Sequence, residues 1–136
     1  DFVKRDRPFL GICLGLQLLL ERGYEGGQHE GLGIIPGEVV RFQLASEYKV
    51  PHMGWNQVAT RQADNRLQID LASDSQFYFV HSYYAIPSRN EDVWLEADYG
   101  GRFCAAIRHG SIYATQFHPE KSQKAGLQLL RNFVLL

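Results

Sequence analysis

Arg7-Pro8-Phe9-Leu10-Gly11-Ile12-Cys13-Leu14-Gly15 decides how this chain folds. Residues 7–12 form a short apolar run that predicts a buried strand, and residues 14–22 return to helical periodicity. A sharp turn therefore falls at Cys13. In the serine form of such an elbow the nucleophile sits on a strained strand-to-helix turn, where flanking glycines make room for close backbone approach. Gly11 and Gly15 stand two residues to either side of Cys13. The unpaired N–H groups and positive dipole end of the following helix favour the thiolate, and the Leu14 N–H points at a developing oxyanion. The pentapeptide alone equally suits a small buried cysteine in a tight turn.

The other end of the chain changes that balance. Tyr113-Ala114-Thr115-Gln116-Phe117 reads as a strand running into His118-Pro119-Glu120, which puts a base and a carboxylate in one turn. A cysteine nucleophile needs an imidazole to take and return its proton, and the imidazole is best oriented by an acidic group. Pro119 fixes its own φ and biases His118 toward an extended conformation, so the strand ends here. His118 taken alone is a strand-end histidine, with Glu120 capping the next helix. With the elbow, the order Cys13, His118, Glu120 favours catalysis.

Gly11-Ile12-Cys13-Leu14-Gly15-Leu16-Gln17 and Gln116-Phe117-His118-Pro119-Glu120-Lys121-Ser122 together resemble class I (triad) glutamine amidotransferase domains, which hydrolyse glutamine and pass ammonia to a synthase partner. The resemblance implies an α/β, flavodoxin-like mixed sheet with flanking helices. It gives Cys13 the attack on the amide carbon, His118 the proton and Glu120 the orientation of His118. Gln17 matches the position that helps hold substrate glutamine; by itself it would read as an exposed helix polar residue. Pro51-His52-Met53-Gly54-Trp55-Asn56 and Phe77-Tyr78-Phe79-Val80-His81-Ser82-Tyr83-Tyr84 are similar to the glutaminase subunit of imidazole glycerol phosphate synthase, a histidine-biosynthesis enzyme. On that likeness Met53, Trp55, Asn56, Tyr78 and Lys121 face a barrel-shaped cyclase subunit, while Ser82 and Tyr83 contact bound glutamine, largely through backbone. Read without it, Met53 and Trp55 could equally be core, although an exposed Met/Trp pair beside a charge suits an interface centre.

With 45% hydrophobic and 12% aromatic residues the chain is an ordinary globular domain. A net charge of −1, from 14 basic and 15 acidic side chains, offers nothing to nucleic acid or a membrane surface. No stretch is apolar enough to span a bilayer, and no signal-peptide pattern opens the chain. The two cysteines lie far apart, so a reducing, cytoplasmic setting is expected, with Cys104 inert in a strand. The five histidines show no metal-ligand spacing with them, so no metal is expected. No phosphate-cradling glycine loop is read, and no cofactor is expected.

Residues 1–136 read as a single unit without repeats. The glycine-dense stretch 23–33 predicts a connecting loop. Strands are expected at 37–43, 56–60, 76–81, 93–97, 103–108 and 111–117, with His109-Gly110 turning between the last two. A closing helix is expected over 122–134 with Ser122 as N-cap.

Complete members of the family carry strand-helix units ahead of the elbow, including a Gly-rich loop that supplies a second oxyanion donor. The expectation is therefore a C-terminal part of such a domain, weakly active or inactive alone. An uncovered sheet edge is expected to drive self-association into a homodimer. Two other readings stand beside it: a non-catalytic remnant acting as a self-associating or partner-binding module, and a different triad cysteine hydrolase. Pro51–Asn56 and Gln17 speak against the latter.

Overall fold

A computed structural model describes residues 5–62 and 64–136 of the 136-residue chain. Its centre is β9 (Arg102–His109), which borders three strands: β8 (Val93–Asp98), β7 (Tyr83–Pro87) and β10 (Ile112–Thr115). The ten-stranded sheet runs β3-β2-β4-β7-β9-β8-β5-β6, with β10 on β9 and β1 on β10. The remaining strands are β1 (Phe9–Ile12), β2 (Leu20–Gly23), β3 (His29–Glu30), β4 (Ile35–Arg41), β5 (His52–Thr60) and β6 (Gln76–His81). Of these pairings β1·β10 and β2·β4 are parallel and the rest antiparallel. The expected mixed sheet is thus present, with the parallel pairing confined to the elbow side.

Both faces of the sheet are covered, which is why its central strands read as continuous apolar runs. Successive residues of β10 go to opposite cores. Tyr113 joins Phe77, Phe79, Trp94, Phe103, Phe117 and Leu129 on one face. Ile112 and Ala114 join Leu16, Leu19, Ile35 and Ile107 on the other. Helix α2 (Gln123–Val134) contributes Leu129 and is tied down by Asn132, whose amide donates to the carbonyls of Leu67 (3.0 Å) and Ile69 (2.6 Å).

The elbow helix is shorter than its periodicity suggests: α1 covers Leu14–Leu19, and Leu20–Gly23 is strand β2. Hydrogen bonds from the glycine-dense stretch account for the stop. The N–H groups of Leu32, Gly33, Ile34 and Gly31 take the carbonyls of Leu18, Leu20, Leu19 and Glu21. A helix continued to Arg22 would need the Leu18 carbonyl for its own i→i−4 bond. Gly31 allows this approach, because a Cβ there would collide with the Leu20 carbonyl.

Other expectations also need correcting. Strand β5 begins at His52, four residues before the expected start, so most of Pro51–Asn56 is strand. Ser82-Tyr83 leads directly into β7, an element the sequence reading left out, which pairs with β4 through Arg41↔Tyr83. The closing helix starts one residue later than expected, and the last hairpin turns at Gly110-Ser111, with Gly110 at φ 62°.

Candidate active site

Cys13 takes φ 54° and ψ −103°, a conformation that costs a non-glycine residue energy and marks many active-site elbows. The surroundings hold it there: its N–H donates to the Thr115 carbonyl (2.7 Å), and its own carbonyl accepts from the N–H groups of Leu16 and Gln17. Gly11 meets the steric requirement expected of it, since a Cβ there would lie 3.0 Å from the Gly15 backbone. Gly15 does not, because its Cβ position opens onto free space.

Parallel pairing of β1 with β10 brings the two ends of the chain together. Ile12 lies opposite Thr115, so Cys13 and His118 leave the carboxyl ends of adjacent strands. The His118 turn is laced to β6: the His118 N–H donates to the Tyr78 carbonyl (2.9 Å), and the Tyr78 N–H donates to Ser122 Oγ (2.9 Å). Ser122 Oγ in turn donates to the His118 carbonyl (2.6 Å). Ser122 occupies the N-cap position expected of it but spends its hydroxyl on holding His118. Gly126 packs so closely that a Cβ there would fall on the Pro119 carbonyl.

His118 Nδ1 lies 2.9 Å from Glu120 Oε2. A carboxylate accepts, so Nδ1 carries the hydrogen, and in that tautomer Nε2 is the ring's acceptor. Among the described residues no hydrogen bond joins Cys13 to His118. The thiol's side-chain partner is Gln116, whose Nε2 is 3.6 Å from Sγ, and Gln17 Nε2 donates to Gln116 Oε1 (3.2 Å). Sequence reasoning missed Gln116, which is fully buried. A signal was there: an amide inside the apolar run 113–117 must find hydrogen bonds once buried.

Burial pushes the Cys13 thiol above its ordinary value, outweighing the opposing Leu14 N–H and Gln116 amide; Glu120 also raises it and Lys121 lowers it. This corrects the expectation of a thiolate, because desolvation exceeds what the first N–H of a six-residue helix supplies. Free protein should therefore react slowly with iodoacetamide at Cys13 at pH 7, the rate rising about tenfold per pH unit to beyond pH 9. A rate already at its plateau by pH 7, followed by mass spectrometry, would contradict that. Cys104 is buried and pushed up to about 12 by desolvation, as an inert core thiol should be.

A cleft of about 280 Å³ opens beside the elbow, lined by Leu14, Gln17, Leu18, Tyr24, His29 and Glu30 among others. Leu14 and Gln17 of the expected set thus lie in its wall. Ser82 lies between β6 and β7, where its carbonyl accepts from the Phe42 N–H (3.0 Å), and Tyr83 opens β7. Met53, Trp55 and Tyr78 gather on the β5–β6 pair, in which Trp55 is opposite Tyr78 and their rings meet edge-on at 6.0 Å. Met53 is 63% exposed and Trp55 46%, so the core alternative for this pair is excluded. Lys121 is exposed, whereas Asn56 is half-buried and donates its amide to the Asp98 carbonyl (2.8 Å).

A family model described as glutamine amidotransferase class-I matches residues 1–136. The imidazole glycerol phosphate synthase subunit HisH of Rhodopirellula baltica is 57% identical over 133 residues, covering 98% of this chain and 64% of that protein. A HisH 1 subunit of Campylobacter jejuni is 53% identical over 130 residues, with 96% and 64% covered. The chain thus spans about 64% of the length of these curated relatives. Among solved structures, PurLQS from Thermotoga maritima superposes with a TM-score of 0.71 at 14% identity, over 98% of this chain and 63% of that one. A glutamine amidotransferase from the same organism gives 0.65 at 19% identity, with 98% and 48% covered. These two likenesses show the fold.

Proposed function

The chain belongs to the class I glutamine amidotransferase family, and from that premise we propose that it hydrolyses L-glutamine by a Cys13–His118–Glu120 triad and passes ammonia to the cyclase subunit of imidazole glycerol phosphate synthase. The observation that carries this reading is the His118–Glu120 pair, set beside a strained cysteine elbow by the β1·β10 pairing. In this scheme glutamine enters the cleft at Gln17, with its backbone contacts at Ser82 and Tyr83. The Cys13 proton moves to His118 Nε2 as sulfur attacks the amide carbon, and Glu120 holds the imidazolium that results. The Leu14 N–H receives the oxyanion. His118 returns its proton to the leaving nitrogen and ammonia departs; His118 Nε2 then takes a proton from a water that attacks the thioester carbon, and gives it to the departing Cys13 sulfur as glutamate forms.

The partner surface in this reading is the exposed Met53–Trp55 pair with Asn56, Tyr78 and Lys121 around it. An aromatic anchor beside a methionine suits an interface centre. Trp55→Ala should weaken cyclase binding by about 30-fold or more, a hot-spot loss of about 2 kcal/mol, in isothermal titration. An unchanged Kd would remove Trp55 from the interface.

Glutamate release from glutamine by the full-length protein, with and without a cyclase subunit and its ligand, tests the proposal against Cys13→Ala. Equal background from both proteins would leave the non-catalytic reading in its place. Among the described residues β1 pairs only with β10, so the 136-residue chain should self-associate through the outer edge of β1. A clean monomer in light scattering would refute that.

A further inference from the structure

Strands β5 and β6 place two histidines opposite each other, in the register His52↔His81. Both are buried, and His52 Nδ1 lies 3.0 Å from His81 Nε2. Two facing ring nitrogens share one hydrogen, and the ends of the chain of contacts decide which ring owns it. At one end His81 Nδ1 is 2.8 Å from the Tyr83 carbonyl. A carbonyl only accepts, so His81 carries its hydrogen on Nδ1 and a neutral ring presents a bare Nε2. His52 must then donate from Nδ1, which leaves its own Nε2 bare. That atom lies 3.4 Å from Asn56 Nδ2.

The Asn56 amide is oriented independently of either histidine. Its Oδ1 accepts from the Gln57 N–H (2.8 Å), and its Nδ2 donates to the Asp98 carbonyl (2.8 Å). Asn56 therefore offers a hydrogen where His52 needs one, and every link in the series runs the same way. Aromatic packing fixes the rings. His52 stacks on Phe79 and Tyr99, at 5.0 and 4.1 Å between centroids, and His81 lies against Phe42 and Phe103. Desolvation keeps both rings neutral, lowering each to about 4.

We propose that His52 and His81 are positioning residues for the glutamine-binding segment: a one-way series of hydrogen bonds from Asn56 through both imidazoles holds the Tyr83 carbonyl, and with it the Ser82-Tyr83 backbone. The inference rests on the assignments of Tyr83 to glutamine and of Asn56 to the partner surface made above. It extends them by joining the two. Asn56 follows the exposed Trp55 in β5 but lies on the opposite face of the strand, with His52, so a partner that shifts this strand shifts the Asn56 amide and the restraint on Tyr83. Reciprocity then requires glutamine to change the partner's affinity by the same factor.

The test uses full-length protein in complex with the cyclase subunit. Long-range 1H–15N correlation should show both histidines of the free subunit as neutral Nδ1–H tautomers; an Nε2–H tautomer at either ring overturns the series. His52→Phe keeps a ring in the stack but removes both hydrogen bonds. It should raise the glutamine KM about tenfold, leave kcat within twofold, and leave Cys13 alkylation unchanged. A purely structural role would lower the melting temperature with KM intact, and that result overturns the inference. Should His52→Phe not fold, His81→Phe carries the same expectation, because a phenyl ring neither accepts from His52 Nδ1 nor donates to the Tyr83 carbonyl. Wild-type protein without glutaminase activity sinks the underlying reading and this one together. Active wild type with an unchanged KM in the variants sinks this one alone.

Discussion

Replacing His118 with alanine lowers kcat for glutamine hydrolysis by about 10⁴-fold in the cyclase complex, with KM changed far less, at the upper end for a general base that also serves as general acid. Glu120→Gln is expected to cost about 10- to 100-fold, a smaller share of what orienting carboxylates supply elsewhere. The difference follows from exposure. The Glu120 side chain is 46% exposed and that of His118 18%, so water can replace part of the orientation once the carboxylate is gone. The raised thiol makes His118 indispensable: Cys13 begins as a protonated group in a partly desolvated site, and no attack precedes loss of that proton. Initial rates of glutamate release over a range of glutamine concentrations measure both effects. Equal losses for the two variants would mean that Glu120 acts directly on the reacting atoms, and a His118→Ala enzyme within tenfold of wild type would end the triad mechanism.

Acidification from pH 6.5 to 4 should strip the fold of several kcal/mol through His52 and His81. Each has a folded value of about 4 against an ordinary 6.5, lowered chiefly by burial. Between those limits the unfolded chain binds protons that the native chain refuses, so stability is complete above about pH 6.5 and falls as the pH drops. At about 1.4 kcal/mol per pH unit, one imidazole accounts for about 3 kcal/mol over the interval. The second adds to it, because a proton on either ring puts hydrogens on facing donors somewhere along the Asn56–Tyr83 series. Urea titrations at pH 7, 6, 5 and 4 measure the loss, and the same series on His52→Gln/His81→Gln removes contributions from carboxylates. The pH dependence of the difference is the result sought. If wild type and double variant lose stability in parallel, the buried pair is not its source.

Much of the site could be read from short range. The elbow follows from an apolar run meeting helical periodicity at Cys13, and the base and carboxylate follow from His118-Pro119-Glu120, because these are local facts of backbone and spacing. What escaped depends on partners far away in the chain. Strand β2 looks helical until the N–H groups of 31–34 take the carbonyls of Leu18, Leu19, Leu20 and Glu21. Met53 and Trp55 could not be assigned to solvent before β5 was seen to begin at His52, which puts both on the outer side of a period-two strand. The role of Ser122 required β6, since its hydroxyl accepts from Tyr78 and donates to His118. His52 and His81 are 29 residues apart and became a pair only through strand register. The protonation state of Cys13 turned on burial, which no motif records.

The pairing of β1 with β10 bears on when competence arises as well as where the site lies. Matching Ile12 to Thr115 closes a loop of about 100 residues, at a chain-entropy cost of about 4 kcal/mol. Contacts at such separation are slow to form and are reached after local hairpins such as β9–β10. The proposed nucleophile and base thus sit at opposite ends of this long closure, and a nascent or partly folded chain displays a cysteine without the strand that bends it into an elbow. On the proposed triad, chemistry at Cys13 waits for the closure of β1 onto β10.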